Sequence, residues 1–250
     1  MHMKVEEIKP YGECGEERKR EQVEQMFDSI APAYDFMNRA MTLGIDRWWR
    51  RVAVKRLNNG NVEKVLDVAT GTGDFALQVW RSTGAKSVVG IDLSEGMLEI
   101  ARKKAHDAGA DDVMSFIKGD CLELPFSDGS FDAVTVAFGV RNFEDIARGY
   151  GEMSRVLRPG GKVCVLELSV PENSILRFFY NIYAMHVIPF FGSLKSGDKS
   201  AYRYLPLSIA AVPQGEKMCE IMRANGFENA TATKLTFGVC TLYVAEKKKE

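Results

Sequence analysis

The residues that could do chemistry in this chain are acids and glycines placed directly after apolar runs. The run that contains Val65-Leu66-Asp67-Val68 leads into Ala69-Thr70-Gly71-Thr72-Gly73-Asp74. This pattern is typical of a strand, a tight glycine turn and a helix N-terminus, where backbone N–H groups can approach a ligand. Asp92 ends the next apolar run, and a carboxylate there can accept two hydrogen bonds from a ribose diol. The sequence therefore predicts a site for a cofactor that contains adenosine.

Two cofactors compete for this site. Gly71-x-Gly73-x-x-Ala76 satisfies the dinucleotide fingerprint, with Asp92 at about the expected distance, so the turn alone is compatible with NAD. Asp67 favours S-adenosylmethionine, because a carboxylate there suits the cationic amino-acid end of that cofactor and would repel a diphosphate. A third apolar run delivers Gly119-Asp120-Cys121, where an adenine amino group could be met. The segment Arg155–Lys162 before the next strand is a turn signal common in methyltransferases, which also favours S-adenosylmethionine.

Composition narrows the class of protein. With 250 residues, 46% of them hydrophobic, the chain can bury one large α/β core. The net charge of −1 gives no nucleic-acid footprint. Five cysteines lack C-x-x-C spacing, as expected for reduced thiols in the cytoplasm, and the three histidines lack ligand spacing, so we expect no metal site. The polar N-terminus is unlike a secretory signal.

Apolar periodicity predicts an alternation of strands and helices from Lys64 to Leu168. We expect strands near 64–69, 87–92, 113–118, 131–137 and 162–168, with helices at about 74–82, 95–108 and 144–157. A helix at 215–225 and a hairpin of strands near 229–236 and 239–246 follow, with Phe237-Gly238 at its turn. The pattern predicts a doubly wound, mostly parallel seven-stranded α/β sheet whose last strand is antiparallel.

Two further regions complete a single expected domain over 1–250. Its parts are an N-terminal helical lid at 1–60, a cofactor-binding core at 61–170, an apolar cap insertion at 171–206, and a C-terminal helix and hairpin at 207–250. We expect residues up to about 20 to be poorly ordered, and a helix from Arg18 that Pro32 interrupts. Within 171–206, the aromatic segment Ile175–Phe191 is too interrupted for a membrane span. It is either a helix buried as extra core or a cap with an apolar channel that also touches a membrane surface.

Several motifs in order resemble one family, the ubiquinone/menaquinone biosynthesis C-methyltransferases. The first is Tyr34-Asp35-x-Met37-Asn38-x-x-Met41-Thr42-x-Gly44-x-Asp46-x-x-Trp49. Arg155-Val156-Leu157-Arg158-Pro159-Gly160-Gly161 with Leu166-Glu167-Leu168-Ser169 resembles the second, and Phe138-Gly139-Val140-Arg141-Asn142 is a third. The resemblance covers about Arg20 to Ala245. Asp46 departs from it, since the family often has histidine or arginine there, and Thr42 replaces the usual serine.

The resemblance implies a class I, Rossmann-like fold and methyl transfer from S-adenosylmethionine to a ring carbon of a polyprenyl quinol. The expected acceptor is demethylmenaquinol, giving menaquinol, with 2-methoxy-6-polyprenyl-1,4-benzoquinol as a further acceptor. The alternative is a methyltransferase for another small or lipid acceptor. We expect a cytoplasmic enzyme, peripheral at the inner face of the membrane, that binds no nucleic acid. The sequence leaves the oligomeric state open, a homodimer being one option.

The predicted site has three groups of residues. The cofactor-binding residues are Asp67, Thr70, Gly71, Thr72, Gly73, Asp92, Leu93, Asp120, Cys121 and Ala137. The substrate-binding residues are Tyr34, Asp35, Asn38 and Tyr202. The catalytic residues are Arg141 and Asn142, which follow the fourth strand at the carboxyl edge of the sheet. A guanidinium stays protonated, so Arg141 would stabilise a phenolate or position a water; the competing interpretation is that Arg141 only pairs with a nearby carboxylate.

Overall fold

The computed structural model describes residues 4–12, 17–57, 62–183 and 199–249. Within these ranges a seven-stranded sheet has the order β3-β2-β1-β4-β5-β7-β6. β7 is antiparallel to both of its neighbours, and the other paired strands are parallel. The predicted doubly wound α/β fold is confirmed. The strands are β1 (Lys64–Val68), β2 (Ser87–Asp92), β3 (Met114–Lys118), β4 (Phe131–Ala137), β5 (Leu157–Leu168), β6 (Phe227–Leu235) and β7 (Cys240–Lys247).

Helices cover both faces of the central strands, which is why those strands are near-continuous apolar runs. In β5, the four residues from Val163 to Leu166 have no solvent exposure. The helices are α1 (Lys19–Thr42), α2 (Asp46–Leu57), α3 (Asp74–Thr83), α4 (Glu95–Asp107), α5 (Ile146–Val156), α6 (Ser174–Ile182), α7 (Lys199–Ala211) and α8 (Glu216–Ala224). A short 3-10 helix at Val140–Asn142 follows β4. The carboxyl ends of β1, β2 and β4 therefore share one edge of the sheet.

β5 begins five residues earlier than the sequence predicts. Its pairing with β4 shifts register between Phe131 and Ala133: Leu157 pairs with Phe131, and the next paired residue of β5, Lys162, pairs with Ala133. The Pro159–Gly161 segment is therefore an irregularity inside the strand. The helix α5 ends at Val156, as the helix-end and turn signal at Arg155–Lys162 predicts, but the turn lies within β5 and not before it. Gly161 is required there because a Cβ would lie 2.9 Å from the Arg158 carbonyl oxygen and 3.0 Å from that of Asp132.

Pro32 does not interrupt the N-terminal helix, as the sequence predicts it should. α1 continues through it for 24 residues, although an interior proline costs about 3 kcal/mol. Met26 and Ile30 before the proline and Ala33 and Met37 after it are all buried in one apolar cluster. Burial on both sides of Pro32 offsets the lost backbone hydrogen bond and keeps the helix whole.

The first described residues are ordered against the core, which contradicts the expected disorder. Val5 is 1% exposed and packs into the main apolar cluster. The Lys19 ammonium donates to three carbonyl oxygens, of Val5 at 2.7 Å and of Arg141 and Phe143 at 3.1 Å each. Burial lowers the pKa of Lys19 to about 8. One buried cation therefore ties the N-terminal segment to the turn after β4.

α6 lies on the surface and does not add to the core. None of its residues is buried, and Ile175, Phe178 and Phe179 are each more than 60% exposed. The interpretation of this segment as a buried core helix is therefore wrong for α6. His186 and the rest of 184–198 lie outside the described residues. Within the described part of the chain, every helix is too short or too polar to cross a lipid bilayer.

Replacing Lys19 tests the tie between the N-terminus and the turn after β4. We expect Lys19→Met to lower the free energy of unfolding by about 1–3 kcal/mol, because buried carbonyls lose their donor. Denaturant unfolding measures the change, and hydrogen exchange should rise in residues 4–12. Lys103→Met on the exposed face of α4 is the control and should change stability by less than about 0.5 kcal/mol. Equal stability of the two variants would contradict the role of Lys19.

Candidate active site

The glycine turn joins β1 to α3 with a backbone that few residues can adopt. Ala69, Gly71 and Gly73 have φ of 50°, 55° and 77°. Left-handed conformations suit glycine but cost energy at alanine. Gly73 begins α3, and a Cβ there would lie 3.0 Å from the Ala101 side chain. The turn therefore brings N–H groups to the carboxyl edge of the sheet, as the sequence predicts.

Asp92 fixes this turn to the neighbouring strand. Its carboxylate accepts one hydrogen bond from the Gly71 N–H at 2.8 Å and another from the Ser94 N–H at 3.0 Å. Burial raises the pKa of Asp92, and these donors oppose that rise. Each carboxylate oxygen has a second lone pair, so Asp92 can still accept from a ribose diol.

Asp67 is buried beneath the same turn. It is 1% exposed and accepts hydrogen bonds from the hydroxyls of Thr70 at 2.6 Å and Thr135 at 2.5 Å. Burial raises the pKa of the Asp67 carboxyl to about 6. Asp67 is therefore an acid that is partly protonated just below neutral pH and would be ionised by a nearby cation.

Nine of the ten predicted cofactor residues line two adjoining cavities at this edge. Gly71, Asp92, Leu93, Asp120, Cys121 and Ala137 line the first. Asp67, Thr70 and Thr72 line the second, a smaller space that shares Gly71 and Ala137 with the first. Gly73 lines neither, because it caps α3. We name the first the nucleoside cavity and the second the amino-acid cavity, after the parts of S-adenosylmethionine that their groups suit.

Arg20 is a residue of the nucleoside cavity that sequence reasoning missed. Its guanidinium pairs with the Asp120 carboxylate at 3.1 Å, while the other oxygen of Asp120 accepts from the Leu122 N–H. Arg20 and Asp120 are 100 residues apart, and Arg20 belongs to no motif. α1 therefore closes the nucleoside cavity opposite the sheet.

Asp35, predicted to bind substrate, faces the glycine turn instead. Its carboxylate accepts from the Thr72 hydroxyl at 2.6 Å and pairs with Lys104 at 2.5 Å. Lys104 also pairs with Asp74 at 2.5 Å. Asp35 lines none of the cavities described for this site. The structure thus places it among the residues that attach α1 to α3 and α4.

Arg141 is both ion-paired and accessible from a cavity. Its guanidinium lies 2.9 Å from Glu167 on β5, and its backbone N–H donates to the same carboxylate at 3.1 Å. Burial lowers the pKa of Arg141, but the charge and hydrogen bond of Glu167, together with Tyr34 and Tyr204, outweigh burial and leave the pKa raised. Its Nε is buried without a partner among the described residues. Arg141 therefore pairs with a carboxylate and also lines a cavity, so its ion pair does not exclude the predicted role toward a phenolate or a water.

Asn142 accepts a hydrogen bond from the Tyr204 hydroxyl at 3.1 Å. Tyr204 on α7 is 3% exposed and was missed, since the prediction named Tyr202. The side chain of Tyr202 lies outside the described residues, so its substrate contact stays a prediction. Tyr202 and Tyr204 are two positions apart in one segment, and the sequence does not show which of the two contacts Asn142.

A third cavity of about 330 Å³ opens beside the nucleoside cavity. Tyr34, Asn38 and Arg141 are polar groups on its wall, which is otherwise mainly apolar and aromatic. Leu43 and Phe237, at 82% and 79% exposed, lie on its rim with Leu176 and Phe179 of α6. We call this the acceptor cavity. Tyr34 and Phe138 line both it and the nucleoside cavity, so the two meet at these side chains.

Comparison with known proteins gives close relatives over nearly the whole chain. The sequence profile of the ubiE/COQ5 methyltransferase family matches residues 15–247. The demethylmenaquinone methyltransferase of Bacteroides fragilis is 48% identical over 247 residues, covering 99% of this chain and 100% of that relative. The ubiquinone/menaquinone biosynthesis C-methyltransferase UbiE of Geotalea uraniireducens is 44% identical over 230 residues, covering 92% of this chain and 97% of that relative.

A solved structure shares the fold. Haemonchus contortus phosphoethanolamine N-methyltransferase 2, in complex with S-adenosyl-L-methionine, matches with a TM-score of 0.62 at 18% identity. The match covers 80% of this chain and 52% of that chain. At this identity the likeness concerns the arrangement of strands and helices alone.

The raised pKa of Asp67 predicts pH-dependent binding of S-adenosylmethionine. Below pH 6 the carboxyl is mostly neutral, and a cationic ligand must displace its proton. If the ligand binds only the ionised form, the affinity should fall about tenfold from pH 7 to pH 5. Calorimetric titration at the two values measures this fall. Asp67→Asn should bind S-adenosylmethionine more weakly at pH 7 and lose most of the pH dependence. A fall in affinity of about tenfold that persists in the variant would show that a group other than Asp67 causes it.

Proposed function

Because the chain belongs to the ubiE/COQ5 methyltransferase family, we propose that it methylates a ring carbon of demethylmenaquinol to give menaquinol. The predicted family is confirmed, and membership of this family supports the predicted cofactor, S-adenosylmethionine. The observation that carries the finer proposal is the meeting of two unlike cavities at Tyr34 and Phe138. One offers acids and N–H groups for a nucleoside, and the other offers a mainly apolar wall, with Arg141 and Asp46 as its charged groups, for a quinol ring.

The nucleoside side of the site fits the cofactor through groups that this chain supplies. Asp92 and Asp120 both line the nucleoside cavity. Asp92 would accept from the ribose hydroxyls, and Asp120 would accept from the adenine amino group. Asp67, in the amino-acid cavity, takes the ammonium. When bound, S-adenosylmethionine supplies an electrophilic methyl group on its sulfonium. The residues of the chain would hold the donor beside Tyr34 and Phe138, where the nucleoside cavity meets the acceptor cavity.

The acceptor must be reduced for the reaction to proceed. A quinol that gives a hydroxyl proton to a water pushes its electron pair onto the ortho carbon, and this carbon would take the methyl group as the donor's sulfur–methyl bond breaks. The ring carbon then releases its proton and aromaticity returns. Arg141 stabilises the oxyanion, because its guanidinium stays charged and the ion pair with Glu167 fixes it on the wall of the acceptor cavity. Asn142 accepts a hydrogen bond from Tyr204 and so helps to orient the turn after β4 that carries Arg141.

Turnover with reduced and oxidised acceptors tests the proposed function. We expect the purified enzyme with radiolabelled donor to methylate demethylmenaquinol kept reduced and to leave the strictly oxidised quinone unmethylated. The same assay with prenylated benzoquinols and with unrelated lipid acceptors defines the substrate class. Equal turnover of the oxidised form, or transfer only to a non-quinol acceptor, would refute the proposal.

The exposed apolar surface around the acceptor cavity is proposed to rest on the membrane that carries the substrate. This surface consists of Leu43, Ile175, Phe178, Phe179 and Phe237. Three of these residues, Leu43, Phe179 and Phe237, also line the cavity, so exposed apolar side chains extend the wall of the cavity onto the outside of the protein. A prenyl tail could then leave the cavity directly into the bilayer, where burial contributes about 0.8 kcal/mol per CH₂.

Vesicle binding tests this surface separately from catalysis. Ile175→Ser with Phe178→Ser removes two exposed side chains that do not line the cavity. We expect about tenfold or greater loss of partitioning onto phosphatidylcholine vesicles in flotation assays. Turnover of a short-chain, water-soluble quinol should be unchanged. Leu207→Ser, a similarly exposed residue outside the cavity lining, is the matched control; equal binding by both variants would contradict the proposed surface.

A further inference from the structure

Arg50 is a buried cation that the proposed mechanism leaves without a role. It lies on α2 and is 7% exposed. Its guanidinium is 5.7 Å from the centroid of the Phe138 ring. It also lines the amino-acid cavity, together with Asp67, Thr70 and Gly71. A charged side chain from the N-terminal region thus reaches the glycine turn.

The hydrogen bonds of Arg50 are incomplete. One terminal nitrogen donates to the Asp46 carboxylate, which also accepts from the Thr42 hydroxyl at 2.8 Å. The Nε of Arg50 is buried and has no partner among the described residues. An unpaired buried donor is costly and is uncommon in folded proteins. A donor fork held in this way against a cavity suits a carboxylate, which guanidinium groups bind with two parallel bonds.

The other charges of the amino-acid cavity make Arg50 the cation available for a ligand. Asp74 is already paired with Lys104 at 2.5 Å, and Lys104 also holds Asp35. The Arg50 charge lowers the pKa of Asp67, which burial raises. Arg50 and Asp67 thus offer one cation and one acid in the same small space. An amino acid in its zwitterionic form presents the complementary pair.

From this geometry we infer that Arg50 binds the carboxylate of the methionine part of S-adenosylmethionine, opposite Asp67, which takes the ammonium. Asp46 is then a positioning residue, since it holds Arg50 by one nitrogen and leaves Nε free for the ligand. This assigns a role to the acid at position 46, where the family often has histidine or arginine. The inference rests on the proposed function only in that the cofactor binds at this edge of the sheet.

A ligand without the carboxylate tests the inference directly. The probes are S-adenosylhomocysteine and its decarboxylated analogue, in which an aminopropyl chain replaces the amino-acid end. Calorimetric titration of the wild type should give about 10–100-fold tighter binding of S-adenosylhomocysteine than of the analogue. Arg50→Met should bind S-adenosylhomocysteine about 10–100-fold more weakly and the analogue as tightly as the wild type does. The preference for the carboxylate should therefore shrink to less than about threefold.

Three further variants separate binding from folding. Arg51→Met changes an exposed arginine on the same helix and should leave both affinities unchanged. Arg50→Met leaves the buried Asp46 without its partner, so the double variant Asp46→Asn with Arg50→Met removes that charge as well. The double variant should show the same loss of preference for the carboxylate, with a free energy of unfolding close to that of the wild type. Arg50→Lys keeps the charge without the fork and should give an intermediate preference.

The outcomes distinguish this inference from the proposed function. A wild type that binds neither probe would overturn the proposed function itself. A wild type without preference for the carboxylate, or an Arg50→Met or double variant that keeps the full preference, would leave the proposed function standing and show that Arg50 has only a structural role.

Discussion

The close approach of two strand ends fixes the geometry of the whole site. β1 and β4 are neighbours in the sheet, but the chain leaves them toward opposite sides. Where they part, a Cβ at position 139 would lie 2.6 Å from the Cβ of Ala69, so only glycine fits. Ala69 and Phe138 adopt left-handed backbone conformations on either side of this contact. The strain at these residues turns both chains away from each other and opens the space in which the cavities meet.

The buried charges around this space are all held by specific partners. Glu167 holds Arg141, Asp46 holds Arg50, and carbonyl oxygens hold Lys19. Burying an isolated charge is costly, so each of these side chains is fixed by its charged or carbonyl partner, while the Nε atoms of Arg50 and Arg141 stay unpaired among the described residues. The ion pairs therefore hold the guanidinium groups at the cavities in advance, so that these side chains need not change conformation when a ligand binds, as a flexible surface arginine would.

The N-terminal region is part of the site as well as a cover over it. Lys19 reaches the turn after β4, Arg20 reaches Asp120, Tyr34 lines both main cavities and Arg50 reaches the glycine turn. The sheet alone would leave these cavities open to water. α1 and α2 close the cavities on one side, while the apolar rim of the acceptor cavity stays exposed on another.

The sequence by itself determined the sheet, the glycine turn and the acids that follow β1 and β2. These features depend on local order: an apolar run sets a strand, and the residue that ends it must lie at the edge of the sheet. Only the tertiary structure decided that α1 passes through Pro32, that Asp35 faces Lys104, and that Lys19, Arg20 and Arg50 reach the site. Those outcomes depend on packing and charge pairing between helices and strands distant in the chain, which no local pattern of residues encodes.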